Sequence, residues 1–430
     1  MGAGLWLAIA GVPLCAAQEG AVFGPDKAPA VVKERMLPNH LPDKPSLPPA
    51  LSIPVGTLGF SAPGPIYLGQ RFSMASLDFL DENRLLFTFR VPGLLHREAG
   101  SDAESDEHQV RAVVLVLPAG TVEAEALWTL HDRAPYLWVL KDGHFLLRDR
   151  DGLQQGDATL ELKPFLHFPG PLLWMEMDPM QRFLATSSRE PVTPKPGQAS
   201  GSAAADADGQ KPSDPSDMVV RILQRESGQV MLVSRSRAVV HLPINSDGYI
   251  ENLRSTDEQW VLNLNYFGGG SRVLGHVDST CAPKVDFLSQ RELLAAACVP
   301  DGGRKLVAMA TDGRRLWQDQ TSAEAIWPLL VRSPDGSRLA WETLVANHAI
   351  NAYAPLYRED VKGQLVRIFD AANGNVALEA PASPALDAGG NVAISPSGRR
   401  VALLNDGSIQ VFDLPAPPAL PAVSVTPPAQ

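Results

Sequence analysis

Apolar and polar positions along this chain fall into short, strand-length runs, and the runs come in pairs. LDFLDENRLLF (Leu77–Phe87) is an apolar stretch, a polar turn and a second apolar stretch, and VDFLSQRELLA (Val285–Ala295) has the same form. SPDGSRLA (Ser333–Ala340) and SPSGRRVA (Ser395–Ala402) make a second family, with DPMQRFLA (Asp178–Ala185), STDEQWVL (Ser255–Leu262) and WVLKDGHFLL (Trp138–Leu147) as variants. Between the apolar runs lie a few residues rich in Asp, Ser, Pro or Gly. Pro fixes φ and Gly or Asp tolerates a tight bend, so each copy predicts a β-hairpin. No core segment has helical periodicity over a dozen residues.

Anchored on turns at Asp81, Asp142, Pro179, Thr256, Ser289, Pro334 and Pro396, the copies number seven. They recur about every 52 residues, a period typical of stacked structural units. A second strand–turn–strand segment follows several copies: Ala112–Leu127, Val220–Ser234, Lys305–Trp317 and Val366–Ala380. Two hairpins per unit make a four-stranded antiparallel sheet. The first hairpins also carry unbroken apolar runs, such as Leu85-Leu86-Phe87 and Leu293 to Ala297, which implies burial on both faces between neighbouring sheets. The expected fold class is therefore all-β, a seven-bladed β-propeller of four-stranded antiparallel blades, with disordered Pro-rich termini.

SPDGSRLA and VRIFDAANGNVAL (Val366–Leu378) resemble the repeats of WD40-like and TolB-like β-propellers, and the resemblance covers roughly residues 57–414. The Trp-Asp dipeptide of true WD40 repeats is absent. Val411-Phe412-Asp413 and Ile368-Phe369-Asp370 stand where Trp-Asp would fall, so the likeness is to the broader family. It implies an architecture and says little about function. The last unit is short, and Gly56–Ser73 is expected to supply its outer strand and close the ring.

The termini change the picture by adding a compartment. Leu5–Leu14 (LWLAIAGVPL) followed by Cys15-Ala16-Ala17-Gln18 has the form of a secretory signal cut after Ala17, and is too short to span a bilayer. No Lys or Arg precedes Leu5, and Leu14 is bulky for a lipoprotein signal at Cys15. The expected organisation is a signal peptide at 1–17, a Pro-rich disordered lead at 18–55, a propeller at 56–414 with a disordered insertion at 190–217, and a Pro-rich tail at 415–430. Ser101–Glu107 reads as an acidic loop tip. Localisation is expected to be secreted or periplasmic. A formal net charge of −11 argues against nucleic acid as a partner, since phosphate binding needs a basic surface.

Candidate chemistry is sparse. Cys281 and Cys298 remain after signal cleavage; a turn centred on Ser289-Gln290 would set them opposite each other. A disulfide between them is expected, with two free buried thiols and a redox or metal role as the alternatives. Asp149-Arg150-Asp151-Gly152, with Asp157, faintly resembles a calcium loop but lacks the distant bidentate Glu, and reads as a polar hairpin turn. The nine histidines, among them His108, His131, His144 and His276, have no metal-ligand spacing. Gly268-Gly269-Gly270 reads as a turn, and Trp138, Trp174, Trp260 and Trp341 as packing between blades. No catalytic, cofactor-binding or metal residue is assigned, and no cofactor is expected. The leading expectation is a monomeric, non-catalytic binding or scaffold module for a protein, peptide or glycan. The alternative is a propeller hydrolase or lyase, lactonase-like, with its site in the central channel.

Overall fold

The computed structural model describes residues 34–69, 72–93, 107–131, 135–191, 216–350 and 355–418. The expected signal peptide, most of the 190–217 insertion and most of the C-terminal tail lie outside them. Among the described residues, strands dominate and the only helical elements are short 3-10 turns such as Val55–Leu58.

The strands group into consecutive antiparallel sheets, each ordered as in the chain. Blade 1 is Ala75–Phe79, Arg84–Arg90, His108–Val116 and Thr121–Leu130. Blade 2 is Leu137–Val139, Phe145–Asp149, Gly152–Gly156 and Lys163–His167, and blade 3 is Leu172–Met177, Phe183–Pro191, Ser216–Gln224 and Val230–Ser236. Blade 4 has three ladder strands, Gly248–Thr256, Gln259–Tyr266 and Ser271–Asp278. Blade 5 is Lys284–Phe287, Glu292–Cys298, Arg304–Ala310 and Arg315–Thr321; blade 6 is Ala325–Arg332, Arg338–Ala346, Val361–Asp370 and Val376–Ala382. Blade 7 takes Val392–Ile394, Arg400–Asn405 and Ser408–Asp413 from the end of the chain and Leu51–Pro54 from its beginning.

What makes these sheets a ring is the distribution of apolar side chains. Within blade 1's second strand, Leu85, Phe87 and Phe89 pack toward blade 7, while Leu86 packs toward blade 2. Likewise Leu293, Ala295 and Ala297 face blade 4, whereas Leu294 and Ala296 face blade 6. This is the physical content of the unbroken apolar runs: successive side chains point to opposite faces, and both faces are covered. Each pair of adjacent blades holds its own cluster, including the pair formed by blades 7 and 1. The seam is tight. A Cβ on Gly390, whose φ is +98°, would lie 2.2 Å from the Ala75 carbonyl, while Leu77 N–H donates to Gly390 O at 2.8 Å. The chain is a seven-bladed β-propeller.

Three expectations need correction. The outer strand of blade 7 is Leu51–Pro54, upstream of Gly56–Ser73 and inside the segment expected to be an unstructured lead. Gly56–Ser73 instead contributes Ile66–Tyr67, paired in parallel with Ala385–Leu386. Another part of the lead, Glu34–Leu37, adds a fifth strand in parallel to the outer strand of blade 5, held by Arg35 to the fully buried Asp319 at 2.7 Å and 3.0 Å.

In blade 4, Thr256 marks the second hairpin. The first turn is Asn245–Gly248, where the Asn245 carboxamide oxygen accepts from the N–H groups of Asp247 and Gly248 at 2.9 Å. The inner segment of that blade is reduced to one bridge, Ile244 to Tyr249, beside Pro243, which cannot donate to a ladder. Finally, the ends of the 190–217 insertion belong to blade 3. Its second strand runs to Pro191 and its third resumes at Ser216, and Glu190 is 5% exposed and paired with Arg221.

Candidate functional site

Each blade's innermost strand runs along the central axis and ends at a turn leading into the second strand. All of these turns lie at one end of the ring. At the position two residues before the turn begins, blades 1, 3 and 5 carry Asp78, Glu176 and Asp286. Their neighbours Leu77, Phe79, Met175, Met177, Val285 and Phe287 are buried in the clusters between blades. The alternation of a strand therefore leaves the three carboxylates on the opposite faces, half-buried at the inner edges of alternate blades.

Burial raises the pKa of Asp78 and Glu176. Desolvation pushes Asp78 up to about 7, against a lowering hydrogen bond from Ser76 Oγ at 2.6 Å. Glu176 is pushed up to about 8, first by desolvation and then by the charge of Asp286, with Arg332 and Lys284 acting the other way.

Hydrogen bonds join blades at the turn end of the axis. Arg332, the last residue of blade 6's inner strand, donates to Phe287 O of blade 5 at 2.5 Å and to Met177 O of blade 3 at 2.8 Å. Blades 3 and 6 are not neighbours, so this guanidinium crosses the axis. Gln290 of blade 5 donates to the fully buried Asp178 of blade 3 at 3.2 Å and accepts from Ser246 of blade 4. These are charge-assisted or buried bonds between elements that share no ladder, and they lock the blades' relative positions.

The opposite end is arranged differently. Inner and third strands start there, which places Lys284 and Arg304 of blade 5 on that face. The Lys284 side chain is 56% exposed and stands 3.8 Å from Asp286, whose side chain is 21% exposed. Behind them a cavity of about 170 Å³ separates blades 5 and 6, walled by Asp286, Leu294, Arg304, Leu330 and Trp341 and rimmed by Cys281 and Cys298.

Cys281 and Cys298 form a disulfide with Cα atoms 5.5 Å apart. The ladder register differs by one from that expected: Lys284 faces Ala296 and Phe287 faces Leu293, because the turn spans Ser289, Gln290 and Arg291. Cys281 reaches its partner from outside the ladder, where Ser279 Oγ accepts from Cys298 N–H at 2.9 Å and pulls the two segments together.

The other sequence candidates have structural roles. Arg150-Asp151 is the turn between two blade 2 strands, and Asp157 accepts from Thr159 N–H and Oγ. Gly269 and Gly270 turn at φ of +94° and +83°. Trp341 is 2% exposed, packed in the cluster shared by blades 5 and 6; Trp174 stands edge-on to His241, and Trp260 donates to Ser279 O. Among the described residues, no cluster of three His, Cys, Asp or Glu is placed to hold a metal ion, and no helix is long and apolar enough to cross a membrane.

The axial acids, Arg332, Lys284 and Arg304 went unassigned in the sequence reading. One signal for the acids was there: LDFL, MEMD and VDFL repeat an acid at the same place before the turn.

No family model matches the chain, and no curated protein matches it. Solved structures similar to it include the Pyrococcus horikoshii acylaminoacyl peptidase, at 11% identity and a TM-score of 0.44, over 76% of this chain and 48% of that one. The chain thus spans about half the length of that peptidase. The β-propeller domain of the Trilobed protease from Pyrococcus furiosus is similar at 9% identity and a TM-score of 0.42, over 81% of this chain and 99% of that domain. TolB from Acinetobacter baumannii is similar at 10% identity and a TM-score of 0.37, over 74% of this chain and 75% of that one. The likeness is one of architecture, and no activity is taken from it.

Proposed function

We propose that the chain is a secreted or periplasmic, non-catalytic binding propeller that takes a protein, peptide or glycan on the face bearing Cys281–Cys298. The observation that carries this reading is the cross-axis hydrogen bond from Arg332 to Met177 O. It spends Arg332 on the fold itself at the turn end, while on the opposite mouth Lys284 and Arg304 stand beside the adjoining cavity. The disulfide supports an oxidising compartment.

The test is a peptide and glycan array probed with the purified chain and two variants. Lys284→Glu on the disulfide face should lose the ligands that the wild type retains. Met180→Glu, at a 51% exposed position on the turn face, should keep them. The reverse pattern would overturn the reading. Export is tested separately: the chain expressed with its own N-terminus should reach the periplasm with no titratable thiol at Cys281 or Cys298.

A second reading has one observation in its favour. Burial and the Asp286 charge hold Glu176 protonated near neutrality, and a carboxyl group so held can serve as general acid in a hydrolase or lyase. Turnover of any array ligand, detected by mass spectrometry and abolished by Glu176→Gln, would favour that reading over simple binding.

A further inference from the structure

The cavity between blades 5 and 6 is lined by a half-buried cation, Arg304, and by a buried tryptophan, Trp341, whose indole donor lacks an acceptor. Arg304 is half-buried, and burial lowers its pKa with no carboxylate to oppose the effect. Its guanidinium donates to Gly302 O and Gly303 O at 3.4 Å and 3.2 Å, and among the described residues no carboxylate stands within ion-pair distance of it. Trp341 is 2% exposed, and its indole Nε1–H finds no acceptor among the described residues. A buried donor without a partner is costly, and native structures keep one chiefly where a ligand or solvent completes it. Besides Asp286 and Lys284, the wall is largely apolar, with Leu294, Ala296 and Leu330. At about 170 Å³ the space exceeds by several-fold the roughly 10–15 Å³ that one ordered water needs.

We propose that this cavity is a binding site for a carboxylate carried on a compact apolar body, either a free small acid or the C-terminal residue of a peptide. The carboxylate takes up the donors of Arg304 and Trp341, Lys284 closes over it from the rim, and the apolar walls hold the attached side chain. Asp286 opposes an anion and so sets a limit on affinity. The inference rests on the disulfide face being the binding face and adds a ligand class to it.

Calorimetric titration of the purified chain tests it, with N-acetyl-leucine and its carboxamide, and with a leucine-terminated peptide in free-acid and amidated forms. The acid should bind at least tenfold more tightly than the amide in at least one pair. Binding in both pairs identifies a site open to small acids, and binding of the peptide acid alone assigns the site to peptide C-termini. Arg304→Gln should weaken the acid tenfold or more and Arg304→Lys should restore part of the loss. Trp341→Phe, which keeps the ring and removes the donor, should weaken it severalfold. Asp286→Asn should tighten it. Thermal melts of each variant show whether it is folded.

Equal binding of acid and amide, no effect of Arg304→Gln in a folded variant, weakening by Asp286→Asn, or no binding of either acid at millimolar concentration would each overturn the proposal. If acids fail while array ligands are still lost in Lys284→Glu, only the carboxylate site falls and the binding face stands.

Discussion

Replacing Glu342 by Gln tests whether a buried acid in blade 6 makes the fold weaken as pH rises. Glu342 is 1% exposed on the second strand of its blade. Its Oε2 accepts from Gln364 Nε2 at 3.0 Å, its Oε1 has no partner among the described residues, and desolvation raises its pKa to about 8 from the usual 4.5. Below the unfolded value both states are protonated, and the group leaves stability unchanged with pH. Between about 4.5 and 8 the native state keeps a proton that the unfolded chain releases, so stability falls by about 1.4 kcal/mol for each pH unit. From pH 5 to pH 7.5 that amounts to roughly 3 kcal/mol from this residue. The substituted amide keeps an oxygen for Gln364 and cannot ionise. Asp78 and Glu176 act in the same direction, so the informative quantity is the difference between wild type and variant. Urea unfolding at pH 5, 6, 7 and 8 should show the two proteins alike in acid and the variant progressively more stable above it. Parallel pH profiles would refute the argument and imply that water or an opposing charge reaches Glu342.

Three other outcomes are expected. Cys281→Ser removes a cross-link between residues 17 apart and should lower unfolding stability by about 3 kcal/mol in denaturant titration; an unchanged midpoint would mean that the turn at Ser289–Arg291 already fixes this hairpin. Deleting the chain through Pro54 removes the outer strand of blade 7 and exposes the edge Ser408–Asp413; it should lower the melting temperature and give concentration-dependent association on size-exclusion chromatography. Glu190 is subject to burial, which works to raise its pKa, but hydrogen bonds from Arg221 and Ser188 outweigh this and hold it below the usual glutamate value. The pair stabilises the fold above the unfolded pKa and is lost as pH falls through the depressed one, so the cost of Glu190→Gln should be largest at neutral pH and vanish in acid.

Much of the fold was legible because a propeller writes its packing twice into each strand. Leu85-Leu86-Phe87 is continuous because neighbouring blades cover both faces, and the polar turns that break such runs are set by local backbone chemistry. Legibility failed where pairing was not local. Leu51–Pro54 belongs to blade 7 only because Ser408–Asp413 offers it an edge hundreds of residues later; nothing in a run as short as LSIP, between Pro48-Pro49 and Gly56, distinguishes a closing strand from a linker. The first turn of blade 4 was missed for a related reason. Its inner segment, with Pro243, makes one bridge and has no apolar run to mark it.

The candidate site was less legible, and the reason is geometric. An acid before a turn in LDFL or VDFL reads in sequence as the polar half of an alternating strand, which it is. Its meaning changes once blades 3 and 5 bring Glu176 within reach of the Asp286 charge, and once Arg332 crosses the axis to a blade it does not adjoin. Arg304 shows the same limit from the other side. At the start of a strand it looks like a solvated end, and only the wall of blade 6 turns it into a half-buried cation without a carboxylate. A propeller's chemistry lies between blades, so the residues that carry it follow from the ring's closure rather than from any one repeat.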